Sequence, residues 1–234
     1  MPTAFLTPTF GYSARERSHL GAHLARRALT VSFPMPSPSS PSSTRKAELR
    51  TLLLARRNAL AVDARERMSD SITRSVLALD AYRRARVVMA YMTFGSEFAT
   101  GAIIDAAIRD AKAIVLPRID RAHDRLAIYT VCEFERDLAA GPWGIREPRP
   151  DTCLGAKLSE IDFILVPGLG FTVRGDRLGY GRGYYDRLLA ERDPRTALVA
   201  AAFSVQVVDE LPTTPQDVRI DMVITERDRH VASR

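Results

Sequence analysis

At 234 residues, 46% of them hydrophobic, the chain is long and apolar enough to bury a sizeable core. Its net charge is only +6, and half of that sits in residues 1–44, where Arg15, Arg17, Arg26 and Arg27 are opposed by Glu16 alone. The remainder lacks the concentrated basic stripe of a nucleic-acid binder and suits a site for small polyanions. No apolar run nears the ~20 residues that span a bilayer, and Cys132 and Cys153 have no metal-type or C-x-x-C spacing, as expected of ordinary thiols in a reducing compartment.

Residues 1–44 read as an appendage. The run from Pro34 to Ser43, Pro-Met-Pro-Ser-Pro-Ser-Ser-Pro-Ser-Ser, cannot bury enough apolar surface to offset its ordering entropy. A disordered tail is expected. An over-extended gene start is a second reading, and the Arg-rich, acid-poor composition also resembles an organelle transit peptide, ranked below the other two. Residues 45–234 are expected to form a single catalytic domain, cytoplasmic and monomeric.

Thr44 is expected to cap a first helix whose apolar stripe is Leu49, Leu52, Leu53 and Leu60, with Lys46, Arg50 and Arg57 on the opposite face. Asp63 and Glu66 look like a capping box before a second helix with Met68, Ile72, Val76 and Leu79 inward. A strand is predicted over 87–92, then a third helix capped by Thr100 with Ile103, Ile104, Ala107 and Ile108 inside. Strands follow over 113–116, stopped by Pro117, and over 126–131, then a loop of Gly141, Pro142, Gly144, Pro148 and Pro150 in which Trp143 is a packing residue. The continuous apolar run 163–166 suits a central strand, followed by a glycine-rich loop, a helix over 184–191 and strands over 198–203 and 220–225. This alternation predicts a three-layer α/β/α fold with a mainly parallel sheet and Rossmann-like topology. Ligands of such sheets sit at the carboxyl ends of strands, which brings 93–100, 167–185 and 225–226 to one crevice.

The loop after Val166 carries Gly168, Gly170, Gly175, Gly179, Gly181 and Gly183, which let backbone N–H groups approach an anion. Arg177 and Arg182 add charge-assisted donors, and Asp186 supplies a hard oxygen suited to Mg²⁺. These are the parts that phosphoryl transfer requires. The spacing fits neither a P-loop nor a dinucleotide fingerprint, since Tyr184 stands where the latter needs glycine. An irregular loop that needs glycines for its turns is the competing reading. His19, His23, His123 and His230 are scattered and offer no nucleophilic triad.

Val166-Pro-Gly-Leu-Gly-Phe and Gly175-Asp-Arg-Leu-Gly-Tyr-Gly-Arg-Gly-Tyr-Tyr-Asp-Arg187 together resemble the signature of the 5-formyltetrahydrofolate cyclo-ligase family. Further matches occur in order: Lys46-Ala-Glu-Leu-Arg50, Ser96-Glu-Phe-Ala-Thr100, Leu116-Pro117, Gly144-Ile-Arg-Glu-Pro148, Gln206, Leu211-Pro212, Asp217 and Asp221-Met-Val-Ile-Thr-Glu226. The resemblance implies a ligase that uses ATP and Mg²⁺ to close 5-formyltetrahydrofolate into 5,10-methenyltetrahydrofolate, releasing ADP and phosphate through a phosphorylated formyl intermediate. It implies ATP binding by Lys46, Arg50 and the loop Arg177, Leu178, Gly179, Tyr180, Gly181, Arg182, Gly183, Tyr184 and Tyr185. It implies folate binding by Glu97, Tyr184 and Tyr185, Mg²⁺ at Asp186 and Asp221, and catalytic roles for Arg182, Tyr184 and Asp186. Two positions depart from the family pattern: Thr172 follows Phe171 where an acid is frequent, and Gln216 precedes Asp217 where a histidine is frequent. A non-catalytic relative that binds RNA or nucleotide is the alternative, and no nucleic acid or membrane partner is expected.

Overall fold

The computed structural model describes residues 41–141 and 144–232. The readings for residues 1–40 and for Trp143 lie outside the described residues. Helix α1 (Pro41–Asn58) begins before Thr44, with proline at the first helical position, where its missing N–H costs no helix hydrogen bond. Helix α2 (Val62–Leu77) follows Ala61 without a side-chain cap. The capping box does not form: Asp63 instead accepts from Arg67 Nη1 at 2.8 Å, one turn on. Helix α3 (Asp80–Arg84) was not foreseen. Strand β1 (Val87–Met89) leads to helix α4 (Gly101–Arg109). Thr100 precedes α4 but does not cap it; its hydroxyl donates to Tyr91 O at 2.7 Å.

Strands β2 (Ala113–Asp120) and β3 (Arg125–Val131) form a long antiparallel hairpin. Pro117 does not stop β2. The pairing with β1 ends at Met89–Val115, so beyond it one side of β2 has no β1 partner and a missing N–H is tolerated there. Helix α5 (Phe134–Asp137) and strands β4 (Leu138–Ala140), β5 (Arg146–Pro148) and β6 (Leu154–Gly155) form a flank. Then come β7 (Phe163–Leu165), the small hairpin β8 (Gly170–Phe171) and β9 (Arg177–Leu178), α6 (Tyr184–Ala190), β10 (Ala197–Ala201), β11 (Met222–Ile224) and β12 (Arg229–Val231).

The main sheet has the order β12-β11-β10-β7-β1-β2-β3-β6. Its centre, β11 to β2, is parallel, and both flanks are antiparallel. The chain moves outward from β1 to β2, then returns to place β7 on the other side of β1 and continues to β10 and β11. The strand order therefore reverses between β1 and β7, which is where an open α/β sheet forms its ligand crevice.

Alternate residues of the central strands feed two cores, as a pleat of period two demands. Val88, Phe163, Leu165, Val199 and Ile224 face Ile72, Val76 and Ile103 of α2 and α4. Met89, Ile164, Leu198, Ala200 and Val223 face Leu189 of α6, Phe171 of β8 and Ile220. Leu49 and Leu53 of α1 pack on Leu178 and Leu211 in a third, smaller cluster. Two expected core positions are open: Leu52 is 46% exposed and Ile108 50%. The β8–β9 turn closes at Gly175, whose φ is +85° and whose N–H and C=O bond Thr172 O and Ile220 N. A Cβ there would lie 2.1 Å from Ile220 O. Gly175→Ala is therefore expected to cost roughly 3 kcal/mol, from strained φ plus overpacking. A thermal melt should show the midpoint about 10 °C lower; an unchanged midpoint would contradict this turn.

Candidate functional site

The crevice is bounded on one side by the loop after β1. Thr100 N–H donates to Thr93 Oγ1 at 2.9 Å, and that hydroxyl donates to Phe98 O at 3.0 Å. Together they curl 93–100 so that Phe94 N–H reaches Glu97 Oε2 at 3.0 Å.

On the other side lies the glycine loop after β7. Gln206 braces its start, donating from Nε2 to Gly168 O (3.0 Å) and Leu169 O (3.2 Å). Thr172 takes part in holding the hairpin turn: its hydroxyl donates to Asp176 Oδ2 at 2.8 Å and accepts from Asp176 N–H at 3.1 Å, while Arg219 Nε donates to Asp176 Oδ1 at 3.2 Å. Arg177 is buried beneath the loop. Its Nη2 donates to Asp186 Oδ1 at 2.7 Å, its Nη1 to Pro167 O at 3.3 Å, and its guanidinium lies 5.9 Å from the Tyr185 ring centre. Two buried donors in this region, Arg177 Nε and the Tyr185 hydroxyl, have no acceptor among the described residues. Burial pushes the Tyr185 phenol pKa up, so it stays a proton donor. Gly181 and Gly183 have φ of +103° and +67°. Among the described residues, no protein acceptor takes the backbone N–H of Tyr180, Gly181, Arg182 or Gly183. An anion would satisfy such donors.

Helix α1 closes the crevice with its polar face. Lys46 Nζ contacts Asp217 Oδ2 at 2.8 Å, and Thr214 N–H donates to the same oxygen at 2.7 Å. Arg50 Nε donates to Gly179 O at 3.0 Å, so the first helix holds the glycine loop directly. Burial lowers the Arg50 pKa, and the charge of Asp217 opposes that. Lys46→Met is expected to weaken binding of a phosphate-bearing ligand about tenfold with little change in melting temperature, since it removes one charge-assisted contact. Titration with a nucleoside triphosphate checks this; an unchanged affinity would remove Lys46 from the candidate anion site.

Arg57 was expected with Lys46 and Arg50 on the face opposite the leucine stripe. It lies one turn beyond Leu53 and is buried, at 2% exposure. Its Nε donates to Ser96 Oγ at 3.0 Å, its Nη2 to the Tyr180 hydroxyl at 3.2 Å, and its Nη1 lies 3.9 Å from Glu97 Oε1. Ser96 Oγ in turn donates to Asn58 Oδ1, and Tyr180 donates a short hydrogen bond to Glu97 Oε1. Burial raises the Glu97 pKa, while Tyr180, Arg57 and the Phe94 N–H partly offset it. Sequence reasoning missed Arg57, Asn58 and Ser96 as site residues. The signal for Arg57 was available, because it lies two helical turns beyond Arg50 on the same side.

Other expected site residues have different surroundings. Tyr184 donates to Asp124 Oδ1 at 2.9 Å, and Arg187 Nη2 to Asp124 O at 2.6 Å, pinning α6 to the β2–β3 turn. The Arg182 side chain is exposed, and its carbonyl accepts from Arg187 Nη1 at 3.1 Å. Asp221 stands before β11, opposite Leu198, and its Oδ2 accepts Leu198 N–H at 2.8 Å. That is the amino end of β10, whereas the crevice lies at the carboxyl ends. Among the described residues, no group of three or more His, Cys, Asp or Glu side chains could hold a metal ion. Cys132 and Cys153 are free thiols, and among the described residues no helix is long and apolar enough to cross a membrane.

A loop with free N–H donors at a switch point, cationic side chains around it and a buried carboxylate across the crevice define a ligand-binding α/β enzyme. The chain belongs to the 5-formyltetrahydrofolate cyclo-ligase family, whose sequence profile it matches over residues 42–226; it is thus a ligase. It is 32% identical over 191 residues to the 5-formyltetrahydrofolate cyclo-ligase of Mycolicibacterium smegmatis, spanning 81% of this chain and 97% of that one. The 5-formyltetrahydrofolate cyclo-ligase of Mus musculus is 29% identical over 190 residues, 77% of this chain and 93% of that one. The solved structure of Aquifex aeolicus 5,10-methenyltetrahydrofolate synthetase superposes with a TM-score of 0.71 at 29% identity, covering 81% of this chain and 93% of that one.

Proposed function

We propose that this enzyme closes 5-formyltetrahydrofolate to 5,10-methenyltetrahydrofolate and converts one ATP to ADP and phosphate in doing so. The observation that carries the reading is the pairing of Glu97 with the glycine loop across the switch-point crevice. A pterin presents adjacent N–H donors that match a carboxylate, and the loop presents N–H donors that match phosphate.

The formyl oxygen is a poor leaving group. It attacks the γ-phosphorus of ATP, and ADP departs. The formyl carbon, now bearing a phosphate ester, accepts the lone pair of N10. Loss of the N10 proton and departure of phosphate with the original formyl oxygen complete the ring. The protein's task is to align the reactants and stabilise negative charge on the transferring phosphoryl group. In this reading Lys46, Arg50 and the N–H groups of residues 180–183 hold the phosphates. Arg177 Nε and the Tyr185 hydroxyl, two buried donors without a partner among the described residues, are satisfied by ligand oxygens. Glu97 orients the pterin. Tyr184 borders the site and gives the folate a ring to pack on, and Arg182 adds positive charge at the loop's outer edge.

Asp186 fits a Mg²⁺ role, since only its Oδ1 is engaged by described residues and Mg²⁺ ordinarily uses one or two carboxylates plus phosphate oxygens. When bound, Mg²⁺ would neutralise charge on the phosphates. Asp221 fits less well, because its Oδ2 serves the backbone of β10. The unpaired cysteines favour a reducing compartment, which supports a cytoplasmic enzyme.

The test follows the oxygen. With substrate carrying ¹⁸O in the formyl group, the label is expected in the released phosphate. Label retained in the folate, or lost to water, would contradict the phosphorylated intermediate.

A further inference from the structure

Glu97 is a carboxylate with 7% of its side chain exposed, and one of the groups bonded to it is Tyr180, a residue of the glycine loop that is itself 38% exposed. The Tyr180 hydroxyl donates to Glu97 Oε1 and accepts from Arg57 Nη2 at 3.2 Å. Tyr180 is thus clamped between two buried charges of opposite sign. Its backbone neighbours are held as well: Gly179 O accepts from Arg50 Nε at 3.0 Å, and a Cβ on Gly181 would lie 3.2 Å from the Arg50 guanidinium carbon. The one oxygen of Glu97 not engaged by backbone is therefore occupied by an O–H donor from the loop read here as the nucleotide cradle.

We propose that Tyr180 is an internal occupant of the folate pocket, and that substrate must displace its hydroxyl from Glu97, which frees residues 179–181 to close on ATP phosphates. The proposal rests on the reading of Glu97 as the pterin acceptor. A pterin amino-pyrimidinone edge brings two N–H donors to one carboxylate, and with only 7% of the Glu97 side chain exposed they reach Oε1 once the phenol bonded to it gives way. The arrangement makes Tyr180 a specificity-determining and coupling residue. A ligand with paired N–H donors replaces the phenol's hydrogen bond and gains a second, whereas one with a single donor only exchanges like for like. Folate and nucleotide then strengthen each other's binding by the same factor, as linkage requires.

Isothermal titration calorimetry on wild type, Tyr180→Phe and Glu97→Gln, each with and without a non-hydrolysable ATP analogue, tests this. Phenylalanine keeps the ring on an exposed loop, so the fold is retained, and equal thermal midpoints verify that. Tyr180→Phe is expected to bind 5-formyltetrahydrofolate about tenfold more tightly than wild type, because no charge-assisted hydrogen bond has to be displaced. The nucleotide-dependent enhancement expected of wild type should fall to about onefold. Unchanged or weaker folate binding by Tyr180→Phe, with coupling intact and Glu97→Gln impaired, overturns the proposal and leaves the role of Glu97 standing. Wild-type folate affinity in Glu97→Gln overturns the role of Glu97, and this proposal with it.

Discussion

Asp186→Asn is expected to lower kcat by about 10²-fold or more while the protein stays folded. The asparagine carbonyl still accepts from Arg177 Nη2 and Val218 N–H, which lie at 2.7 and 3.4 Å in the native chain. What disappears is the negative charge. Arg177, with 4% of its side chain exposed, then lacks its counter-ion, and a stability loss of about 2 kcal/mol follows. The melting temperature should fall by about 4 to 8 °C. The activity loss should be accompanied by a raised Mg²⁺ requirement. Near-normal turnover at the native Mg²⁺ concentration would remove Asp186 from the metal site and leave it as the partner of Arg177 alone.

The second large effect is on substrate recognition. Glu97→Gln replaces two equivalent acceptor oxygens with one acceptor and one donor, which cannot match paired N–H donors. The kcat/KM for the folate is expected to fall roughly 10²-fold, with the KM for ATP changed far less. Stability should move the other way. Burial raises the Glu97 pKa above its unfolded value, so folding costs the charged form more than the neutral one. Stability from this group is complete below the unfolded pKa and is lost as pH rises through the folded one. Glutamine does not titrate. The variant should therefore melt no lower than wild type at neutral pH, and its advantage should shrink on acidification toward pH ~4. A variant that is catalytically normal, or one that loses stability at neutral pH, would contradict this account of Glu97.

Much of the fold was legible because period-two strands and apolar helix faces leave direct marks. The run 163–166 did become a central strand over Phe163–Leu165, buried on both faces, as its unbroken apolar character required. Less legible were features decided by tertiary context. Pro117 looked like a terminator, yet it stands in a strand whose pairing with β1 has already ended. Asp63 sat at capping-box spacing, yet an arginine one turn on competes for its carboxylate. The site divides similarly. Glu97, Lys46, Arg50 and the loop 177–186 converge on one crevice, and the glycines and charged residues that announced the loop were local signals. Arg57 was misplaced because it was set opposite the leucine stripe with the other cations. It lies one turn beyond Leu53, on the side of α1 that packs on the glycine loop, and is buried with the leucines. Asp221 was named through the family resemblance, which does not say which end of a strand serves a ligand, and its Oδ2 accepts a backbone N–H at the amino end of β10.

The central claim is an ATP-driven ring closure at the β1–β7 switch point, and one assay tests it most directly. The full chain is incubated with 5-formyltetrahydrofolate, Mg²⁺ and ATP, following methenyl-product absorbance and ADP together. The account predicts that product accumulates, that one ADP forms per product, and that omitting ATP abolishes both. No product from demonstrably folded protein, or product formed without ATP consumption, would contradict it.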